Sequence, residues 1–312
     1  MKVIPPSYEI LDTLDRQGLA VRIEYCGRIC YKSEDKIDRD SAIPFTRKMA
    51  EHGHNSVLEM GVLSLEIENS SPGDLAELYA TQPKYLVIDA LDRGTLLVSG
   101  SVRAFREMLI FHPECSLVNS MAKFLADRHP YFFETIIPEG GLRPGPEIVV
   151  RKFNLDEVDS LPDPLLARHR HLAVKFIVNR AITHEIVRHR PCSFLQESQR
   201  YCRYSDNRFG GEVSFINPMF YEEGTREYGL WTQAMEETEK IYLELLETST
   251  PQAARTVLPN SCKTELIVYA NLVEWQHIFK LRTTPAAEPS MREVMIPLHG
   301  EFKNRFPGVF GR

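Results

Sequence analysis

The chain has 312 residues, enough for one large domain or two modest ones with a sizeable buried core. Its composition, 43% hydrophobic and 26% charged, is that of an ordinary globular protein. The net charge of -6 at pH 7 argues against a general nucleic-acid binder, so anion binding must be local.

No apolar run reaches the roughly 18 residues a membrane span needs. The N-terminus MKVIPPSYEILD lacks the apolar middle of a signal peptide. These features lead us to expect a cytoplasmic protein with no membrane partner. Residues 8–32 predict a first strand and helix, and residues 40–52 a helix that Gly53 stops. Val62, Ser64, Glu66 and Glu68 alternate with Leu63, Leu65 and Ile67, the period of a half-buried strand. Residues 74–83 predict a short helix. Tyr85 to Ala90 and Leu96 to Val98 predict a hairpin around Arg93-Gly94, and Ser101 to Phe111 a helix.

Residues 112–168 are broken repeatedly by proline, including Pro130, Pro138, Pro144, Pro146, Pro162 and Pro164, although EIVVRKFNL has strand character. Residues 171–179 alternate as a strand, and Ile182 to His189 predicts the start of a helix. Residues 228–248 form the clearest helix, with Trp231, Met235, Ile241, Tyr242 and Leu245 on one stripe. Thr264 to Leu281 predicts a second long helix, and no internal repeat shows in the sequence. The expected fold is mixed α/β (α+β). It is a single domain over residues 1–312 with a loop-rich insertion at about residues 112–168. Neither a GxGxxG after a strand nor a GxxxxGK[ST] occurs, so Rossmann and P-loop sites are not indicated.

The six cysteines include no CxxC pair, which predicts free thiols rather than a zinc or thioredoxin-like site. His184 and His189 are five apart, where a zincin helix needs four, and His52/His54 and His169/His171 lack an evident third ligand, so no metal site is expected. The segment from Thr183 to Tyr201 concentrates function-like groups: Arg188, Arg190 and Arg200 with Ser193, Gln196 and Ser198. Guanidinium forks beside hydroxyls suit phosphate oxygens, and interleaved Ile186, Val187, Phe194 and Leu195 place the charges at a rim rather than on a free helix. Cys192 lies among these arginines, but an incidental thiol is the simpler reading.

Arg188-His189-Arg190, seven further residues, then Ser198 with Arg200-Tyr201 resembles the signature of the flavin-dependent thymidylate synthases. CGRICYKS (Cys26 to Ser33), His52-Gly53-His54-Asn55-Ser56 with Glu59, Arg255 to Pro259, and Asn271, Leu281, Arg282 and Arg292 resemble further segments of that family in the same order. The resemblance implies FAD as cofactor, with NADPH and 5,10-methylenetetrahydrofolate as co-substrates. It implies that dUMP is methylated to dTMP in a homotetramer, without nucleic-acid partners and without a cysteine nucleophile. It also implies that Arg282 is catalytic, polarising the uracil, and that Gln196, Ser198, Arg200, Arg255, Leu281 and Arg282 bind substrate. His54, Ser56, Glu59, Arg188, His189, Arg190, Asn271 and His277 would contact FAD.

Leu195-Gln196 stands where the family usually has asparagine–glutamate, Glu185 where glutamine is common, Val273 where arginine is, and Ala287-Glu288 where alanine–glutamine is. These departures leave open a pyrimidine nucleotide such as UMP as substrate. A nucleotide- or RNA-binding protein without catalysis on the same scaffold is the other alternative.

Overall fold

The computed structural model describes residues 1–206 and 210–311. Strands β1 (Lys2–Ile4) and β2 (Ser7–Ile10) open the chain, followed by helices α1 (Asp12–Asp15), α2 (Leu19–Ile29), α3 (Ala42–Glu51) and α4 (Asn55–Leu58). A first unit comprises β3 (Val62–Glu68), α5 (Pro72–Ala80), β4 (Leu86–Ala90), β5 (Leu96–Ser101), α6 (Val102–Phe111), α7 (Ser116–Arg128) and α8 (Pro130–Phe133). Then β6 (Val149–Phe153), α9 (Leu155–Asp159) and α10 (Asp163–His169) lead into a second unit. It begins with β7 (His171–Asn179), α11 (Arg180–Ile186), β8 (Ser193–Gln196) and β9 (Ser214–Ile216), and continues with α12 (Arg226–Thr248) and α13 (Pro251–Ala254). It ends with β10 (Lys263–Asn271), α14 (Leu272–Arg282), α15 (Pro289–Arg305) and α16 (Pro307–Phe310).

Two antiparallel four-stranded sheets result, in the orders β4-β5-β3-β6 and β8-β10-β7-β2, while β1 pairs in parallel with β9. Period-two patterning decides which face each strand buries. In the first sheet Leu65, Ile67, Leu96 and Val98 face a core filled by Phe105, Leu117, Met121 and Phe132 from α6 to α8. In the second sheet Val174, Phe176, Leu266 and Val268 face Trp275, Phe279, Leu298 and Phe302 of α14 and α15. Ala173, Leu195, Ile267 and Tyr269 point the other way and join the first unit's core, so the second sheet is buried on both faces. No helix among the described residues is long and apolar enough to cross a membrane.

The mixed α/β class is as expected, and so are the strand at 62–68, the hairpin of β4 and β5, and the helices at 102–111 and 226–248. Residues 264–281 are not one helix. Lys263–Asn271 is a strand, and Asn271 caps the helix that follows, its side chain accepting from the Glu274 amide at 2.9 Å. Apolar residues on both faces of that strand had hidden its alternation. Residues 112–168 are not loop-rich. They hold α7 to α10, and β6 completes the first sheet by pairing with β3. Their prolines sit mostly at helix starts, as Pro130 and Pro164 do, where a missing N–H costs nothing.

The structure also contains an internal repeat that the sequence hides. Each unit runs strand, helix, strand, strand and three helices, with strands in matching sheet positions: β3 and β7, β5 and β10, β4 and β8. The fourth strand of each sheet, β6 or β2, is followed in both cases by a short helix. α7 packs on β6 as α15 packs on β2. Backbone bonds coincide as well. The Val102 amide donates to the Gly61 carbonyl at 2.8 Å, and the Leu272 amide to the Arg170 carbonyl at 3.1 Å. Ser101 caps α6 as Asn271 caps α14. His129 and Phe306 end α7 and α15 with nearly the same backbone, φ -137, ψ 56 and φ -130, ψ 63, and each precedes a proline that starts the last short helix.

Candidate active site

Strand β8 organises the site, lying beside β10 at the edge of the second sheet, with α2 and α4 packed against it. Leu195 is buried in the shared core, which explains an apolar residue where the resemblance would have a polar one. Gln196 points to the opposite face. Its amide nitrogen donates to the Thr183 hydroxyl at 3.0 Å and the Thr264 hydroxyl at 3.2 Å. Glu197 is buried, accepting from the Tyr204 hydroxyl at 2.8 Å and from Lys263 Nζ at 2.8 Å. It is therefore tied into the fold and does not take the place of an acid one residue earlier.

Before β8, Arg188 and Arg190 are exposed and make no ion pair with a described residue, while His189 between them is buried. His189 Nε2 accepts from Arg282 Nε at 3.0 Å. Burial, together with the Arg282 and His277 charges, pushes the His189 imidazole down to about 4. The neutral ring can then offer its Nε2 lone pair to the arginine. Arg282 Nη1 donates to Glu185 Oε2 at 2.5 Å and Nη2 to the Glu185 carbonyl at 3.2 Å. The acid that stands where glutamine is common is thus paired, and its partner is the candidate catalytic arginine. His277, also on α14, brings its ring centroid to 5.7 Å from that of His189. Leu281 is exposed beside Arg282.

Asn271 begins α14 at the Arg190 end of β8. Tyr269 pairs with Ser193, so two residues on Asn271 comes level with Pro191. Besides its capping bond, Asn271 donates from Nδ2 to the Arg168 carbonyl at 3.1 Å. At the other end of β8, the Ser198 amide donates to the Cys30 carbonyl at 3.0 Å, which brings the Cys26 to Ser33 segment alongside. Arg200 Nε donates to Gln252 Oε1 at 3.2 Å, tying this corner to α13 and the neighbouring Arg255. The Tyr201 and Tyr31 rings lie 5.2 Å apart.

The histidine-rich turn reaches the same neighbourhood, because α4 packs on β8. His54 and Ser56 are exposed. His54 joins Tyr31, Tyr201, Lys36, Lys48 and Phe45 in lining a groove of about 750 Å³. Glu59 is held by Arg103 Nη1 of α6 at 2.6 Å. The structure therefore gathers the expected residues into two sets at the two ends of β8. Arg188, His189, Arg190, Asn271, His277, Leu281 and Arg282 belong to one, and His54, Ser198, Arg200 and Tyr201 to the other. Glu59 lies towards the first unit.

Burial pushes the Cys192 thiol up to about 12 and the Cys30 thiol up to about 11, so neither is a thiolate near neutral pH. Among the described residues no group of three or more histidines, cysteines or acids is placed to hold a metal ion. Arg103 was missed from the sequence, as was the cluster in which Lys32, Lys175 and Lys263 surround buried Glu265. Their positions are far apart in the chain and carry no motif.

Comparison with known proteins agrees with this layout. The family described as thymidylate synthase complementing protein matches residues 165–308, which begin just before the second unit and cover nearly all of it. A flavin-dependent thymidylate synthase of Pyrococcus abyssi is 34% identical over 163 residues, 49% of this chain and 66% of that protein. One from Corynebacterium efficiens is 31% identical over 150 residues, 43% of this chain and 58% of that protein. One from Pyrococcus furiosus is 35% identical over 128 residues, 41% of this chain and 52% of that protein. The chain thus spans between about half and two thirds of the length of these relatives.

Proposed function

We propose that this chain, a member of the flavin-dependent thymidylate synthase family, binds FAD and converts dUMP to dTMP, with 5,10-methylenetetrahydrofolate as carbon donor and NADPH as reductant. The observation that carries the reading is Arg282. It is a fixed cation, four-fifths buried, aimed by Glu185 and His189 and flanked by the unpaired Arg188 and Arg190.

The donor set fits a flavin dinucleotide. Arg188 and Arg190 offer two free guanidinium groups for a pyrophosphate. The Tyr31–Tyr201 pair and His54 offer ring surfaces beside an open groove. Reduced flavin, when bound, supplies the reducing equivalents that turn a transferred methylene into a methyl group.

The chain's own residues do the remaining work. Ser198, Arg200 and Arg255 hold the nucleotide phosphate at the far end of β8. Arg282 stabilises negative charge that develops on the uracil ring, in a partly dry site where a preorganised cation is worth most. Protonated Cys192 and Cys30 take no part as nucleophiles.

The reading predicts a yellow purified protein, or one that turns yellow on adding FAD, whose flavin absorbance is bleached by NADPH. Protein that stays colourless with added FAD defeats it.

A further inference from the structure

We infer that this chain is an internal duplication whose first unit has lost its anion cradle and acts as a built-in partner for the second, so that each chain carries one flavin site instead of two. The inference rests on the flavin reading above and adds to it a stoichiometry and a division of labour within one chain.

The repeat allows residue-by-residue comparison at the site. Buried Ile186 ends α11, and buried Leu78 occupies the same place near the end of α5. Counting four residues on from each reaches Arg190 and Gln82, and each precedes a proline, Pro191 or Pro83. Arg188, His189 and Arg190 therefore correspond to Ala80, Thr81 and Gln82, which bear no charge. Counting from the caps Asn271 and Ser101, Arg282 corresponds to His112 and His277 to Glu107. The first unit lacks both exposed arginines and the aimed cation. An acid also stands where the second unit has a histidine.

What the first unit keeps is packing. Phe133 ends its last helix as Phe310 ends the other, and both are buried. Its core is continuous with Ala173, Leu195, Ile267 and Tyr269 of the second sheet, and α4, which joins it to the N-terminal helices, packs on β8. It thus supports the back of the strand that carries the surviving site. Selection has held the positions that fill space and released those that would bind an anion, as a supporting copy requires.

The test is titration of flavin-free protein with FAD, followed by flavin fluorescence against an independently measured chain concentration. One FAD per chain is expected. Arg188→Ala/Arg190→Ala is expected to weaken binding at least tenfold across the whole signal. Thr81→Ala/Gln82→Ala in the first unit is expected to change neither stoichiometry nor affinity. Far-UV circular dichroism and melting report whether each variant is folded. Two FAD per chain would overturn the inference, as would a folded Arg188→Ala/Arg190→Ala variant that keeps half its flavin at wild-type affinity. Loss of flavin from a folded Thr81→Ala/Gln82→Ala variant would overturn it too. A wild-type chain that takes up no FAD would bring down the flavin reading itself, and this inference with it.

Discussion

Glu185 and His189 hold Arg282 from two sides, one as an anion and one as a neutral acceptor. If that aim matters to turnover, removing the cation and releasing it should have similar effects. Arg282→Ala is expected to keep flavin but lower dTMP formation on the order of 100-fold or more, since one preorganised charge at a developing anion is worth that much. Glu185→Gln keeps an acceptor oxygen and is expected to stay within about tenfold of wild type. Glu185→Leu frees the guanidinium and should fall about 100-fold, the usual result of a misplaced catalytic group. Steady-state rates at saturating dUMP decide between these outcomes; unchanged turnover in Arg282→Ala removes it from the mechanism.

A second residue-scale prediction concerns Glu265. Burial alone would raise its carboxyl, but Lys263 and Lys32 draw it down to about 2 from its ordinary 4.5. A carboxyl whose folded value is depressed adds stability that is complete above its unfolded value and is lost as pH falls through the folded one. Denaturant melts should therefore weaken from about pH 4.5 towards pH 2. Glu265→Gln should flatten that limb and cost about 3–5 kcal/mol at neutral pH, because three lysines are left around a neutral amide.

At the scale of elements, stability turns on how β10 passes into α14. Asn271 supplies the cap and also reaches back to the Arg168 carbonyl. Asn271→Ala is expected to cost about 1 kcal/mol, the typical value of an N-cap, measured by chemical denaturation. Trp275, fully buried against Phe279 and Phe302, should cost about 3–5 kcal/mol when cut to alanine. This junction is also where the sequence misled. Leu266, Val268 and Ala270 feed one core and Ile267 and Tyr269 another, so the strand reads as a continuous apolar run and merges with the helix after it. Strands with one polar face, such as β3 with Ser64 and Glu66, were legible from alternation. At the site, the arginines were legible because they are adjacent in sequence. The Glu185–Arg282 and Glu59–Arg103 pairs were not, because folding alone brings together residues separated by 97 and 44 positions.

At the scale of the whole molecule, the chain is two similar units around a shared core, one matching a known family and one recognisable as its relative only by topology. The repeat escaped sequence reading because it survives in caps, turns and burial, features that many residue types satisfy. Ser101 and Asn271 cap equally well, and Leu78 and Ile186 fill the same space. The account's central claim is that the second unit's cradle makes dTMP. The most direct measurement is to mix purified, FAD-loaded protein with dUMP, NADPH and methylenetetrahydrofolate labelled in the methylene carbon, and to analyse the nucleotide. We expect labelled dTMP from wild type and almost none from Arg282→Ala. Protein that binds both FAD and dUMP yet leaves the label wholly in the folate would contradict the claim.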